Sequence, residues 1–378
     1  MASCADVALP WLLQEQQQHS GTVAQHRIAL VYIGEGKYEM ALELFEKCLA
    51  IEIKDLGEDH PNVAATYHSI ANIYNMQGKS AMALELHEKC LAIQIKALGE
   101  DHPSVAITYS NIAVLYDTQG KDAMALEHFE KCLVIQIKTL GEDQPGVATT
   151  YNSIAVIFTN QGKDAKALEQ FEKCLAIRIK ALGEGHPSVA DTYNNIASAY
   201  VGQGKHDLAL EQLEKCLAIQ IKALGKGHPS VASTYTIIGR VYNAQGQHDL
   251  ALEQFEKCLA IQIEVLGEHH LEVASTYNNI AVVYDTQDKY DMALNQFKKC
   301  LTIRIEALGE GHPEVASTYN NIGTVKYTMA ECLENQGELA RAGVLFRESA
   351  AISSKLFGAE HKETLDALKC ARLCEQAV

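Results

Sequence analysis

Val105 to Gln119 reads VAITYSNIAVLYDTQ, and Ala123 to Leu140 reads AMALEHFEKCLVIQIKTL. In the first stretch Val105, Tyr109, Ile112, Ala113 and Tyr116 fall at helical spacing, which makes one face of a helix apolar. In the second, Ala125, Leu126, Phe129, Cys132, Leu133 and Ile137 form another such stripe. Gly120-Lys121 breaks the pattern between them. Gly141 is suited to end a helix, because glycine adopts the left-handed conformation at little cost. Pro103 is suited to a first turn, where its missing N–H would have had no intrahelical partner. Asp101 or His102 is expected to cap that turn. The segment therefore predicts two antiparallel helices joined by a short turn.

The same segment recurs along the chain. Cys48, Cys90, Cys132, Cys174, Cys216, Cys258 and Cys300 each lie 42 residues after the one before. Tyr67, Tyr109, Tyr151, Tyr193, Tyr235, Tyr277 and Tyr319 keep the same step, and Gly57-Glu-Asp-His-Pro61 returns as Gly99 to Pro103. One hairpin cannot hide two apolar stripes, but stacked hairpins bury them in a common core. Small residues set the approach distance. Ala71, Ala113, Ala155, Ala197 and Ala281 recur in the first helix, with Gly239 and Gly323 in two repeats, and Ala83, Ala125, Ala167, Ala209, Ala251 and Ala293 recur in the second. Eight hairpins are expected over 22–363. The last carries seven extra residues between Tyr319 and Gly337, about two helical turns. A closing helix is expected within 364–378, from Thr364 to Glu375. Residues 1–21 are read as a disordered segment or partial cap, with Trp11 as a packing residue.

These residues resemble the tetratricopeptide family, whose large–small–aromatic pattern is met by Tyr109, Ile112, Ala113 and Tyr116, followed by Ala125, Phe129 and Cys132. The usual family unit is about 34 residues. Here the second helix runs about two turns further. The longer unit, with its Asn-Asn pair, Gln-Gly-Lys turn and Leu-Gly-Glu-Asp-His-Pro loop, is similar to the repeats of kinesin light chains and nephrocystin-3-like proteins. The resemblance covers about residues 22–376. It implies an all-α, right-handed α-solenoid of antiparallel helical hairpins. Kinesin light chains carry a long coiled coil before their repeats and this chain has about 20 residues there, so the expectation is a relative by repeat type rather than a motor subunit.

Composition excludes several function classes. The formal charge is -16. A general nucleic-acid binder needs a basic footprint, and adsorption to anionic lipid needs the same. No apolar run approaches the length that spans a bilayer, and no basic stretch precedes Val7 to Leu13, so no signal peptide is expected. The expected compartment is the cytoplasm, with eleven cysteines reduced. The periodic cysteines are read as small apolar packing residues, too far apart for a disulfide or a shared metal. The histidines before proline are read as helix-start residues. Gly78-Lys79-Ser80 lacks the earlier glycine of a P-loop, since Ile73 stands there, and Leu91 replaces the second histidine that a zinc-protease pattern after His87-Glu88 would need. The chain is read as non-catalytic, with no cofactor and no metal.

Polar residues of the first helix are more informative. The resemblance implies that first helices line the concave surface and that asparagines there hold a peptide backbone, for which an amide that both donates and accepts is suited. The candidates are Asn111, Asn152, Asn194, Asn195, Asn278, Asn279, Asn320 and Asn321. The other reading of each pair is that one member bonds between neighbouring repeats. Specificity is expected from positions that vary, among them Asn72, Val114, Val156, Ser198, Arg240 and Val282, and one turn on Asn75, Asp117, Thr159, Val201, Asn243 and Asp285. Arg240 is a lone cation suited to a carboxylate, unless it bonds Asp191. Glu127–Lys131 and Glu169–Lys173 are spaced as exposed ion pairs. The leading expectation is a cytoplasmic scaffold that binds an extended peptide or partner protein. The alternatives are self-association or a repeat array of a larger signalling or transport adaptor.

Overall fold

A computed structural model describes residues 22–377, and all their regular elements are helices. In chain order these are α1 (Thr22–Gly34), α2 (Tyr38–Leu56), α3 (Pro61–Met76), α4 (Ser80–Leu98), α5 (Pro103–Thr118), α6 (Asp122–Leu140), α7 (Pro145–Asn160) and α8 (Asp164–Leu182). Then follow α9 (Pro187–Gly202), α10 (His206–Leu224), α11 (Pro229–Ala244), α12 (His248–Leu266), α13 (Leu271–Thr286), α14 (Tyr290–Leu308), α15 (Pro313–Asn335), α16 (Leu339–Phe357) and α17 (Lys362–Ala377). Odd-numbered helices open each hairpin and even-numbered ones close it. The segment before Thr22, Trp11 included, lies outside the described residues. The chain forms two compact units that meet in sequence between Glu184 and Gly185. Helices α1–α8 build the first and α9–α17 the second.

The helix ends follow from the loop residues. His102 caps α5, its Nδ1 accepting the Ser104 N–H at 3.2 Å. Asp101, the other candidate, ion-pairs with Lys138 instead. His60, His186, His228, His270 and His312 cap their helices in the same way, and Gln144, which replaces histidine before α7, makes no side-chain cap. At the far end of α6, Gly141 has φ 89° and its N–H reaches the Ile137 carbonyl, a conformation that a Cβ would strain.

Packing within each unit repeats at two levels. An aromatic of the second helix lies against both its own first helix and the next one. Phe129 packs with Ile112, Ala113 and Tyr116 of α5 and with Ile154 and Ile157 of α7. One to two turns further on, every junction within a unit except the last holds a polar link. Thr276 Oγ1 of α13 donates to Gln262 Oε1 of α12 at 2.6 Å, with Cys258 Sγ 3.6 Å away. Thr108–Gln94, Thr150–Gln136 and Thr234–Gln220 repeat the bond at 2.7 to 2.8 Å. Glu52 takes the place of glutamine against Thr66, and Arg304 takes it against Thr318, reaching Glu314 as well. Burial pushes the thiols of Cys90, Cys132 and Cys216 up to about 11, the behaviour of packed rather than reactive cysteine.

The polar link is a test of that packing. Valine is nearly the shape of threonine, so Thr276→Val keeps the volume but leaves the Gln262 oxygen buried without a donor. A loss of about 1–3 kcal/mol is expected, read as a lower urea midpoint at constant slope. An unchanged midpoint would mean that Gln262 finds water.

Helix α15 has 23 residues where α13 has 16. The second helices keep 19 residues, α16 included. The longer α15 therefore carries the start of α16 further along, and the start of α17 with it, by roughly 10 Å at 1.5 Å per residue. The closing helix runs Lys362–Ala377, slightly beyond the expected limits.

Candidate partner-binding face

On α5, Ile107, Asn111, Val114 and Thr118 follow helical spacing and share one side. Ile107 is 55% and Val114 40% exposed, while Val105 and Ile112 are buried. The position of Ile107 is exposed in each equivalent first helix, at Ala65, Thr149, Asp191, Ser233, Ser275 and Ser317. Sequence reasoning did not single it out. The signal was available: it lies one turn before Asn111, and its residue type changes from repeat to repeat beside an unchanging Val and Thr.

In the second unit, successive first helices lie side by side. Asn321 of α15 donates through Nδ2 to Asn278 Oδ1 of α13 at 3.2 Å. This pair spans neighbouring repeats, the structural role open to one member of each Asn pair. Asn194 occupies the equivalent place on α9, and its Oδ1 is buried with no hydrogen-bond partner. The residue 43 positions on is Ile237, where Asn278 meets Asn321.

Arg240 and Asn279 come together. With Asn243 and Ala244 of α11, Phe255 of α12 and Val282 of α13 they line a shallow pocket of about 200 Å³. Arg240 is exposed and makes no ion pair or hydrogen bond with a described residue, Asp191 included. Beneath it, a Cβ on Gly239 would lie 2.8 Å from the Phe255 ring, so the ring comes close to α11 only because residue 239 is glycine. Asn320 lines a second pocket, described further below. Asn195 is half-buried on α9. Asn111 and Asn152 are half-buried on α5 and α7 and belong to the other unit.

The opposite edge of the hairpin is closed by charge. Lys131 Nζ lies 2.7 Å from Glu127 and 5.7 Å from the centre of the Tyr109 ring. Lys173, Lys215, Lys257 and Lys299 cover Tyr151, Tyr193, Tyr235 and Tyr277 in the same manner. The expected exposed ion pairs are thus present, and each lysine also shields a repeating tyrosine by a cation–π contact. Among the described residues no group of three His, Cys, Asp or Glu side chains could hold a metal ion. No helix among them is long and apolar enough to cross a membrane.

The tetratricopeptide repeat model matches seven overlapping segments, 22–96, 70–138, 119–180, 146–222, 188–264, 230–306 and 272–330. The chain belongs to the tetratricopeptide repeat family. Among solved structures it is similar to a putative kinesin light chain of Podosopora anserina with nearly identical TPR-like repeats, at 34% identity over 53% of this chain and 95% of that one, with a TM-score of 0.48. The apo form of RapI matches 94% of this chain and 97% of its own at 13% identity, with a TM-score of 0.62. Aspartyl phosphate phosphatase F from Bacillus subtilis matches 94% of each chain at 14% identity, with a TM-score of 0.54. At such identities these two share the fold alone. No curated protein sequence matches the chain significantly. As in other tetratricopeptide repeat proteins, helical hairpins follow one another throughout the described residues, and the fold is an all-α solenoid.

Proposed function

We propose that this tetratricopeptide repeat chain is a non-catalytic, cytoplasmic scaffold that binds an extended segment of a partner protein along the exposed side of its first helices. The observation that carries the reading is the unpaired, exposed Arg240 beside Asn279 at a pocket between two successive first helices. Lys131, Lys173 and Lys215, by contrast, are each held by a carboxylate one turn away on the same helix. An unpaired guanidinium next to a free amide can take a carboxylate and an adjacent peptide group together. The residues around it, Ser233, Ser275, Asn279 and Val282, are small or neutral, which suits a backbone lying close to the helices.

The test is selection of peptides from a random display library on the full chain. Peptides are expected to be enriched and to bind an Arg240→Ala, Asn279→Ala variant at least tenfold more weakly. Both residues lie outside the core, so the variant should keep its helicity. Equal binding to the variant would remove the proposed site. Enrichment of no peptide, with light scattering that rises steeply with concentration, would replace the scaffold reading by self-association.

A further inference from the structure

The last junction of the second unit breaks the buried pattern of the others. Allowing for the seven extra residues of α15, the place of Cys300 is taken by Ser349, that of Arg304 by Ser353 and that of Thr318 by Ala367. Elsewhere in this unit a long polar side chain and a threonine fill this space, as Gln262 and Thr276 do. Here both are cut short. What remains is a pocket of about 220 Å³ between α15, α16 and α17.

Its lining is polar and acidic. Asn320, Thr324 and Tyr327 of α15 form one wall, Ser349 and Ser353 of α16 the floor, and Glu363 and Asp366 of α17 the other wall. The two carboxylates face α15 because the longer α15 sets the first turn of α17 against its middle. Neither makes an ion pair with a described residue. Ser349 Oγ donates to the Gly323 carbonyl at 2.9 Å and retains acceptor capacity. Ser353 is 8% exposed, lines the pocket and has no hydrogen-bond partner. Its hydroxyl is reached only from the pocket, so its hydrogen-bond partner has to come from whatever fills that space.

We infer that this pocket receives the cationic side chain of the bound segment, a lysine or an arginine. The inference rests on the peptide-binding reading of the same face and adds the chemistry of the ligand. A cation is what the lining lacks: two carboxylates, two serine oxygens and the Asn320 amide oxygen can all accept from an ammonium or guanidinium group, while the Thr324 and Ser349 hydroxyls already donate to backbone carbonyls. The pocket is walled by first helices, as the Arg240 pocket is, and lies two first-helix steps away in the same unit. With neighbouring helices about 10 Å apart, the two pockets are separated by roughly 20 Å. About six extended residues cover that distance. The bound segment then carries a carboxylate at one end of this stretch and a cation at the other, which fixes its direction.

The test uses peptides selected on the full chain. They are expected to share a lysine or arginine about six residues from an acidic residue or the C-terminus. Replacing that cation by norleucine should weaken binding at least tenfold, and so should Glu363→Gln with Asp366→Asn in the protein. Substituting the peptide keeps the result independent of how the variant folds. Comparing lysine with arginine at the same position identifies which cation fits. Selected peptides that need Arg240 but tolerate norleucine, or that carry no cation, overturn this inference and leave the groove intact. A chain that selects no peptide overturns both.

Discussion

His87→Phe is expected to stabilise the protein most in acid, widening its advantage over the parent by about 2 kcal/mol between pH 7 and pH 5. His87 stands where the other second helices carry Phe45, Phe129, Phe171, Phe255, Phe297 and Phe346, or Leu213. It is 1% exposed, its Nδ1 has no hydrogen-bond partner, and the His68 ring lies 5.2 Å from it. Burial, and then the charge of His68, hold its pKa down at about 4, against 6.5 for a free imidazole. Between those values the unfolded chain binds a proton that the folded one refuses. Stability due to this group is therefore full above pH 6.5 and falls as the pH drops towards 4. Below 4 both states are protonated and the loss stops growing. Phenylalanine has no such term. The difference between the two proteins isolates His87 from every other titrating group. Denaturation at several pH values measures it, and a gap that does not widen on acidification would mean that the ring is hydrated.

Phe297→Ala should cost about 3–5 kcal/mol, the range for truncating a buried aromatic. Phe297 is 1% exposed and joins Ala281 of its own hairpin to Ile322 and Val325 of the next. Its loss removes contacts inside a hairpin and between hairpins together. In a linear array stability is a sum of repeat and interface terms, so faster hydrogen exchange is expected on both α13 and α15. Faster exchange confined to α13 and α14 would show that the junction does not depend on the ring.

The fold was legible because every physical signal was repeated. Apolar spacing gave the helices, glycine and proline gave their ends, and the constant step between Cys48, Cys90 and Cys132 gave the stacking. The candidate face was less legible, for a geometric reason. Two adjacent asparagines point about 100° apart on a helix, and helical phase alone does not say which one meets the next helix. Asn278 bonds Asn321 across repeats, whereas Asn279 stays beside Arg240. The position of Ile107 was overlooked because it is apolar in three repeats, at Val23, Ala65 and Ile107, and yet exposed. The acidic pocket could not be read without the structure. It arises from the extra length of α15 acting on a helix some forty residues later, and from the short Ser353 side chain, whose place is held by Gln262 or Arg304 at other junctions.

The buried sulfurs have one more consequence. Thiolate is the species that reacts with alkylating reagents, and a thiol held near pH 11 supplies almost none at neutral pH. Each such cysteine becomes reactive only when its own junction opens. Spaced one per repeat, they form a row of native clocks, and the order in which they are labelled traces the route by which each unit comes apart.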